Sequence, residues 1–111
     1  MFFQTPKKFL HEPSISLDTP VLFLIFNRPE TTYQVFSTIK KAKPSRLYVA
    51  ADGPRSNYSN EIENCEFARS IATSVDWDCN VKTLFRNKNL GCRLAVSRAI
   101  EWFFEQEPEG I

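Results

Sequence analysis

The sequence predicts an α/β fold built on a parallel sheet, and three observations lead to this prediction. An unbroken apolar run from Val21 to Phe26 is typical of a strand that is buried on both faces. Two more short strand patterns follow it, and a stretch with helical periodicity comes after each of the three strands. Strands that alternate with helices at this spacing favour right-handed crossovers and therefore parallel pairing.

The first strand and helix are predicted over residues 20–26 and 30–43. Pro29 suits the first helical turn, because its φ is fixed and the N–H that it lacks has no helical partner there. Pro44 ends the helix, and a second strand over 46–51 leads into the turn sequence Asp52-Gly53-Pro54. Helical spacing predicts the buried face of this first helix: Thr32, Val35, Phe36, Ile39 and Ala42.

A second helix is predicted over 60–74, with a capping box between Asn60 and Glu63. A third strand over 80–85 and a third helix over 92–106 continue the alternation. The apolar positions of the two helices are Ile62, Cys65, Ala68, Ala72 and Val75, and then Leu94, Ala95, Val96, Ala99, Ile100, Trp102, Phe103 and Phe104.

This order predicts a three-layer, Rossmann-like parallel sheet flanked by helices. A fourth strand is expected to begin at Ile111, so residues 20–111 are interpreted as the front half of a domain. Such a half is expected to expose apolar surface and to self-associate. Residues 1–19 are expected to form an N-terminal extension that lies over the domain or is partly disordered, and His11 within it is interpreted as incidental.

Composition excludes several classes of protein. A net charge of +1 gives no global field for nucleic acid. Three widely spaced cysteines suit neither a disulfide framework nor a zinc site, and they favour a reducing compartment. No apolar run reaches transmembrane length and no signal-peptide pattern is present, so a cytoplasmic location, with peripheral membrane contact left open, is expected.

Polar residues follow all three predicted strands, at the edge where open parallel sheets bind their ligands. They are Asn27 and Arg28, then Asp52 and Gly53, then the run from Arg86 to Asn89. This set suits an anionic ligand with one neutral hydrogen-bonding group. Each member also has a plainer interpretation: Asn27 as a helix cap, Asp52 as an Asx turn, and Arg86 with Lys88 as a solvated loop.

Glycine scarcity narrows the way a nucleotide could bind. The chain has three glycines and contains neither Gly-x-Gly-x-x-Gly nor a P-loop, which also argues against a methyltransferase. Phosphate charge must therefore be carried by arginine or by a divalent cation. A hard cation needs several oxygen ligands, and Asp52 alone is too few.

Three segments then carry a family resemblance. Residues 21–29, 48–53 and 87–91 resemble the amino-terminal half of GT-A fold glycosyltransferases. The likeness is to bacterial sugar transferases of the nucleotide-diphospho-sugar transferase superfamily, near family 2, with a fainter one to the N-acetylglucosaminyltransferase I group. It implies a transferase that moves a sugar from a nucleoside-diphosphate donor, expected to be UDP-linked, to a hydroxyl of a glycan or lipid-linked acceptor.

The resemblance also implies roles for individual residues. The nucleoside is expected at Phe26, Asn27 and Arg28, and Asp52 with Gly53 is expected to accept a hydrogen bond from the base. The segment Asn89, Leu90 and Gly91 is expected to close over the donor, with Arg93 near phosphate oxygens. The family's divalent cation, Mn²⁺ or Mg²⁺, binds an acidic motif that this chain does not contain, and its catalytic base comes later still. The chain alone is therefore expected to be inactive, and a non-catalytic α/β module that binds a nucleotide or a protein is the alternative.

Overall fold

The computed structural model of the chain describes residues 2–4 and 18–107. Every helix and strand predicted between residues 20 and 106 is present, with ends within two residues of those expected. Among the described residues, no helix has the length and hydropathy needed to cross a membrane. The elements are β1 Phe2–Gln4, β2 Val21–Ile25, α1 Pro29–Ala42, β3 Arg46–Ala51, α2 Glu61–Ala72, β4 Asn80–Phe85 and α3 Cys92–Gln106.

The sheet has the strand order β1-β2-β3-β4. Strands β2, β3 and β4 are parallel, as predicted, and Val21 pairs with Leu47, which pairs in turn with Val81. Strand β1 was not predicted, and it adds antiparallel to β2 through pairs such as Phe3 with Leu22. The expected N-terminal extension therefore contributes a strand to the sheet. A strand of three residues is too short to show a recognisable pattern in the sequence.

Alternate residues of the strands build two apolar clusters, one on each face of the sheet. On one face, Phe23 and Val49 pack with Phe36 and Ile39 of α1 and with Ala72 of α2. On the other face, Leu22, Tyr48 and Ala50 pack with Ala99 and Phe103 of α3. The parallel strands are therefore covered on both faces, an arrangement compatible with half of a Rossmann-like fold.

Several local predictions were wrong. Asn60 precedes α2 with a φ of 65° and makes no side-chain cap, so the capping box with Glu63 does not form. Ile62, Leu94 and Phe104 are exposed, because each lies on the flank of its helix that points away from the sheet. The expectations for His11 and for a strand at Ile111 lie outside the described residues.

A buried polar cluster lies at the amino-terminal end of β3, opposite the end that holds the candidate site. The Tyr48 hydroxyl donates a hydrogen bond to Glu107, which follows α3 and is buried. Arg46 donates to the same carboxylate at 2.7 Å and to the carbonyl of Asp18 at 2.8 Å. Burial, together with the Glu107 carboxylate, raises the pKa of Tyr48 to about 12. The cluster joins the end of α3 to the sheet and to the segment that enters β2.

Stability at alkaline pH tests this cluster. The folded state holds the Tyr48 proton up to a pKa of about 12, above the ordinary value of 10.0. The contribution to stability is therefore complete below pH 10 and is lost as the pH rises towards 12. Urea unfolding across this range should show that the free energy of unfolding falls more steeply with pH for the wild type than for Tyr48→Phe. The difference between the two slopes should correspond to at most about one proton. Equal slopes for the two proteins would contradict the assignment.

Candidate active site

The Asp52 carboxylate lies at the centre of the carboxyl-terminal edge of the sheet and is buried. Its Oδ1 accepts hydrogen bonds from the backbone N–H groups of Gly53 and Leu90, both at 2.8 Å. Its Oδ2 accepts from the N–H of Gly91 at 3.0 Å and from Nδ2 of Asn89 at 3.1 Å. The Asp52 side chain, directly after β3, therefore fixes the loop that leads from β4 into α3.

These contacts change the interpretation of Asp52. An ionised carboxylate offers about four lone-pair positions, and four donors from the chain already use them. No position is left over for the base contact that the resemblance implies. The Asx turn is also absent, because Pro54, two residues on, has no N–H to donate. Asp52 is therefore a positioning residue in this structure.

Two glycines allow the loops to approach this carboxylate. A Cβ at Gly53 would lie 2.5 Å from the backbone carbon of Lys88 and 2.7 Å from that of Asn87, so the two loops touch through their main chains. Gly91 precedes α3 with a φ of 91°, a conformation that side chains disfavour. Both positions therefore require glycine, one for close approach and the other for backbone geometry.

Glu61, the first residue of α2, makes a second connection between strand ends. It is buried, and its carboxylate accepts from the Arg55 N–H at 2.7 Å and from the guanidinium at 2.9 and 2.7 Å. It also accepts from Nδ2 of Asn27 at 2.9 Å. These donors, led by the Arg55 side chain, lower the pKa of Glu61 to about 2. Asn27 is thereby joined to the start of α2, and through Glu61 to Arg55 in the loop after β3. It does not cap α1.

Arg55 is oriented on several sides. Its guanidinium carbon lies 3.7 Å from the ring centroid of Tyr58 and 5.6 Å from that of Phe26. The hydrogen bonds to Glu61 raise the pKa of Arg55 above its usual value, so the guanidinium keeps its charge. Two rings and one carboxylate restrict its rotamers, which makes Arg55 a preorganised cation at this edge of the sheet.

Arg69 of α2 supports the same edge from the face of the sheet opposite to α3. Its Nη2 donates to the carbonyl of Asp52 at 3.1 Å and to that of Arg86 at 2.8 Å. Its guanidinium carbon lies 4.8 Å from the ring centroid of Phe85. The ends of β3 and β4 are thus joined a second time, through main-chain oxygens.

A cavity of about 300 Å³ lies between this edge and α3. Its floor is apolar and includes Leu24, Ala50, Leu84 and Ala99, while Phe26 forms part of its wall. Four polar side chains contribute to the lining: Asp52, Arg55, Arg86 and Asn89. An apolar pocket with a few polar groups is the usual form of a small-molecule site.

The structure divides the nine residues expected at the site into three groups, and Asn27, bound to Glu61, belongs with those that hold the loops around the cavity. Phe26, Asp52, Asn89 and Gly91 line the cavity, while Gly53 and Leu90 hold the loops around it. Arg28 and Arg93 are exposed and do not line the cavity.

The sequence reasoning missed Arg55 and Glu61. An arginine in a turn and a glutamate in a first helical turn look ordinary in a sequence, and only the fold brings Glu61 against Asn27, with Arg55 bound to the same carboxylate. Arg86 was recognised at a strand end, but its place in the cavity depends on the packing of α3.

Comparison of the chain with models of protein families, with curated proteins and with solved structures gives no match.

The described residues do not form a divalent-cation site. Residues 2–4 and 18–107 contain no group of three or more His, Cys, Asp or Glu side chains that could hold a metal ion. Asp52, the carboxylate expected nearest to such an ion, is already coordinated by four donors of the chain.

Asp52→Asn tests the positioning role without any ligand. The amide would turn an NH₂ group towards donors of the following loop, so hydrogen bonds would be replaced by opposed donors. We expect the free energy of unfolding to fall by about 1–3 kcal/mol in urea titrations. Glu63→Gln, on the exposed side of α2, removes the same charge and should change stability by less than about 0.5 kcal/mol. Equal stability of Asp52→Asn and the wild type would show that the carboxylate is not needed for folding.

Proposed function

We propose that the chain is the donor-binding half of a sugar transferase and binds a nucleoside-diphosphate sugar in the cavity beside α3. One observation carries the proposal. The three segments on which the resemblance depends, around Asn27, Asp52 and Asn89, surround one cavity and are joined by hydrogen bonds through Asp52 and Glu61. Nothing in the sequence pattern alone requires these segments to be connected in this way.

The cavity has the two properties that a nucleoside requires. Its floor of aliphatic side chains and the Phe26 ring offer apolar surface to a flat base. Its polar side offers the amide of Asn89, whose Nδ2 is held by Asp52 and by the carbonyl of Gly53 at 2.7 Å. The Oδ1 of Asn89 is thereby left as a hydrogen-bond acceptor. In this proposal Asn89 takes the role of acceptor for a base N–H, and Asp52 keeps Asn89 in place.

The proposed whole reaction transfers the sugar from its nucleoside diphosphate to a hydroxyl of a glycan or lipid-linked acceptor. The described residues contribute donor binding: an apolar surface, an oriented amide and two arginines. The resemblance places the catalytic base, and most ligands of the divalent cation, outside these residues. The chain by itself is accordingly proposed to bind the donor without turning it over.

Titration of the ¹⁵N-labelled chain with UDP tests the proposal. We expect chemical-shift changes at the backbone amides of Phe26, Asn89 and Val96, which lie around the cavity, and none in α1. Asn89→Ala should weaken binding about tenfold, the effect expected for one lost hydrogen bond in a buried site. Asn87→Ala, on the exposed part of the same loop, is the matched control and should bind as the wild type does.

The contrary outcome is equally clear. Absence of shifts around the cavity at millimolar UDP would overturn donor binding. The non-catalytic module that binds a protein would then be the better interpretation.

A further inference from the structure

Two arginines of the cavity have donors that the chain does not use. Glu61 takes the Nε and Nη2 groups of Arg55, and the described residues offer no hydrogen-bond acceptor to its Nη1. The Arg86 side chain, half-buried at the end of β4, makes no hydrogen bond or ion pair with the described residues. Both residues line the same cavity, so two guanidinium groups have hydrogen-bonding capacity left for a ligand there.

The backbones that carry these arginines are fixed. The Arg86 N–H donates to the carbonyl of Ala51 at 3.0 Å, and its own carbonyl accepts from Arg69. The Arg55 N–H donates to Glu61 at 2.7 Å. A ligand that meets both side chains therefore does not have to order their main chains, which lowers the entropic cost of binding.

The carboxylates beside these arginines do not compete for them equally. Asp52 is satisfied by backbone and amide donors, while Glu61 engages one edge of the Arg55 guanidinium. With Arg69 directly behind Asp52 and Arg86, this edge of the sheet holds three arginines and two carboxylates. The remaining charge is positive, so an anion is the ligand that this part of the cavity favours.

We propose that Arg55 and Arg86 bind the diphosphate of the ligand directly and that this contact needs no divalent cation. The proposal deepens the proposed function and rests on it for the identity of the ligand. In this role Arg55 and Arg86 replace Arg93, the residue expected near phosphate oxygens, because Arg93 does not line the cavity. Arginine suits this role, since its planar fork donates two parallel hydrogen bonds to phosphate oxygens.

The pairing of Arg55 with Glu61 also defines how the diphosphate meets it. The carboxylate and the two aromatic rings fix the plane of the guanidinium, and only the edge that carries Nη1 remains for a phosphate oxygen. Lysine at this position keeps the charge and loses the fork. Arg55→Lys is therefore a variant that separates oriented hydrogen bonding from charge.

Calorimetric titration of the full chain in EDTA tests the proposal with three probes: UDP, inorganic pyrophosphate and uridine. We expect UDP and pyrophosphate to bind without added metal. Arg55→Lys and Arg86→Gln should each weaken both by about tenfold and leave uridine binding unchanged. Arg86→Gln is the safer variant for folding, because its side chain has no partner among the described residues. Arg98→Gln, exposed on α3, is the charge-matched control and should bind all three probes as the wild type does.

The probes separate this inference from the proposed function. If uridine and UDP bind equally well and neither arginine variant weakens UDP, the arginine contact is overturned while nucleoside binding stands. If pyrophosphate binds through both arginines but uridine does not bind and UDP binds no better than pyrophosphate, the anion site stands and the nucleoside site is overturned. A requirement for Mg²⁺ or Mn²⁺ before UDP or pyrophosphate binds would overturn the metal-independent contact. If Arg98→Gln weakened the binding of these probes as much as the two arginine variants do, general electrostatics would explain the effect and the specific contact would be overturned.

Discussion

The contact between the Asp52 carboxylate and the loop from β4 to α3 is the constraint on which the rest of the site depends. Parallel strands bring their carboxyl ends to one edge, but the loops that follow are free to diverge. Here a single buried side chain accepts two N–H groups of the next loop and one amide. A charged acceptor makes such hydrogen bonds stronger than neutral ones, and burial keeps water from replacing them. The start of α3 is therefore positioned from the end of β3.

Glu61 makes a similar connection one strand away, so two buried carboxylates join the loops at this edge of the sheet. Glu61 joins Asn27, after β2, to Arg55, after β3. Asp52, Glu61 and Arg69 thus hold the strand ends and their loops, while Arg55 and Arg86 keep hydrogen-bond donors that the described residues do not use. This division explains why the edge is suited to an anion although two of its buried groups are carboxylates. It also explains why Asp52, the most conspicuous polar residue of the sequence, is not itself free to bind.

Much of the fold could be predicted from the sequence, because it depends on local patterns. Helical and strand periods between residues 20 and 106 set the elements and the parallel order of β2, β3 and β4. The parallel order also predicted that the candidate site lies at the carboxyl-terminal edge of the sheet. Strand β1 could not be predicted, since three residues carry too little pattern, and its pairing is decided by the exposed edge of β2.

The roles of individual site residues were harder to predict, because they depend on which side chains the fold brings together. Arg55 and Glu61 are six residues apart and look like an ordinary turn and helix start, yet the Glu61 carboxylate binds Arg55 and also meets Asn27, 34 residues away in the sequence. Arg28 stands beside Asn27 in the sequence but is exposed and does not line the cavity. Position at a strand end identifies the edge of the sheet at which these residues gather. Tertiary contacts decide whether a side chain there holds a loop or lines the cavity.

Amide hydrogen exchange of the unliganded wild-type chain tests the central claim most directly. The account predicts that the N–H groups of Leu90 and Gly91, although they lie in a loop, exchange as slowly as those within β3, because the Asp52 carboxylate holds them. Exchange as fast as in the exposed turn at Ser56 and Asn57 would contradict it, since the carboxylate would then not be fixing the loop.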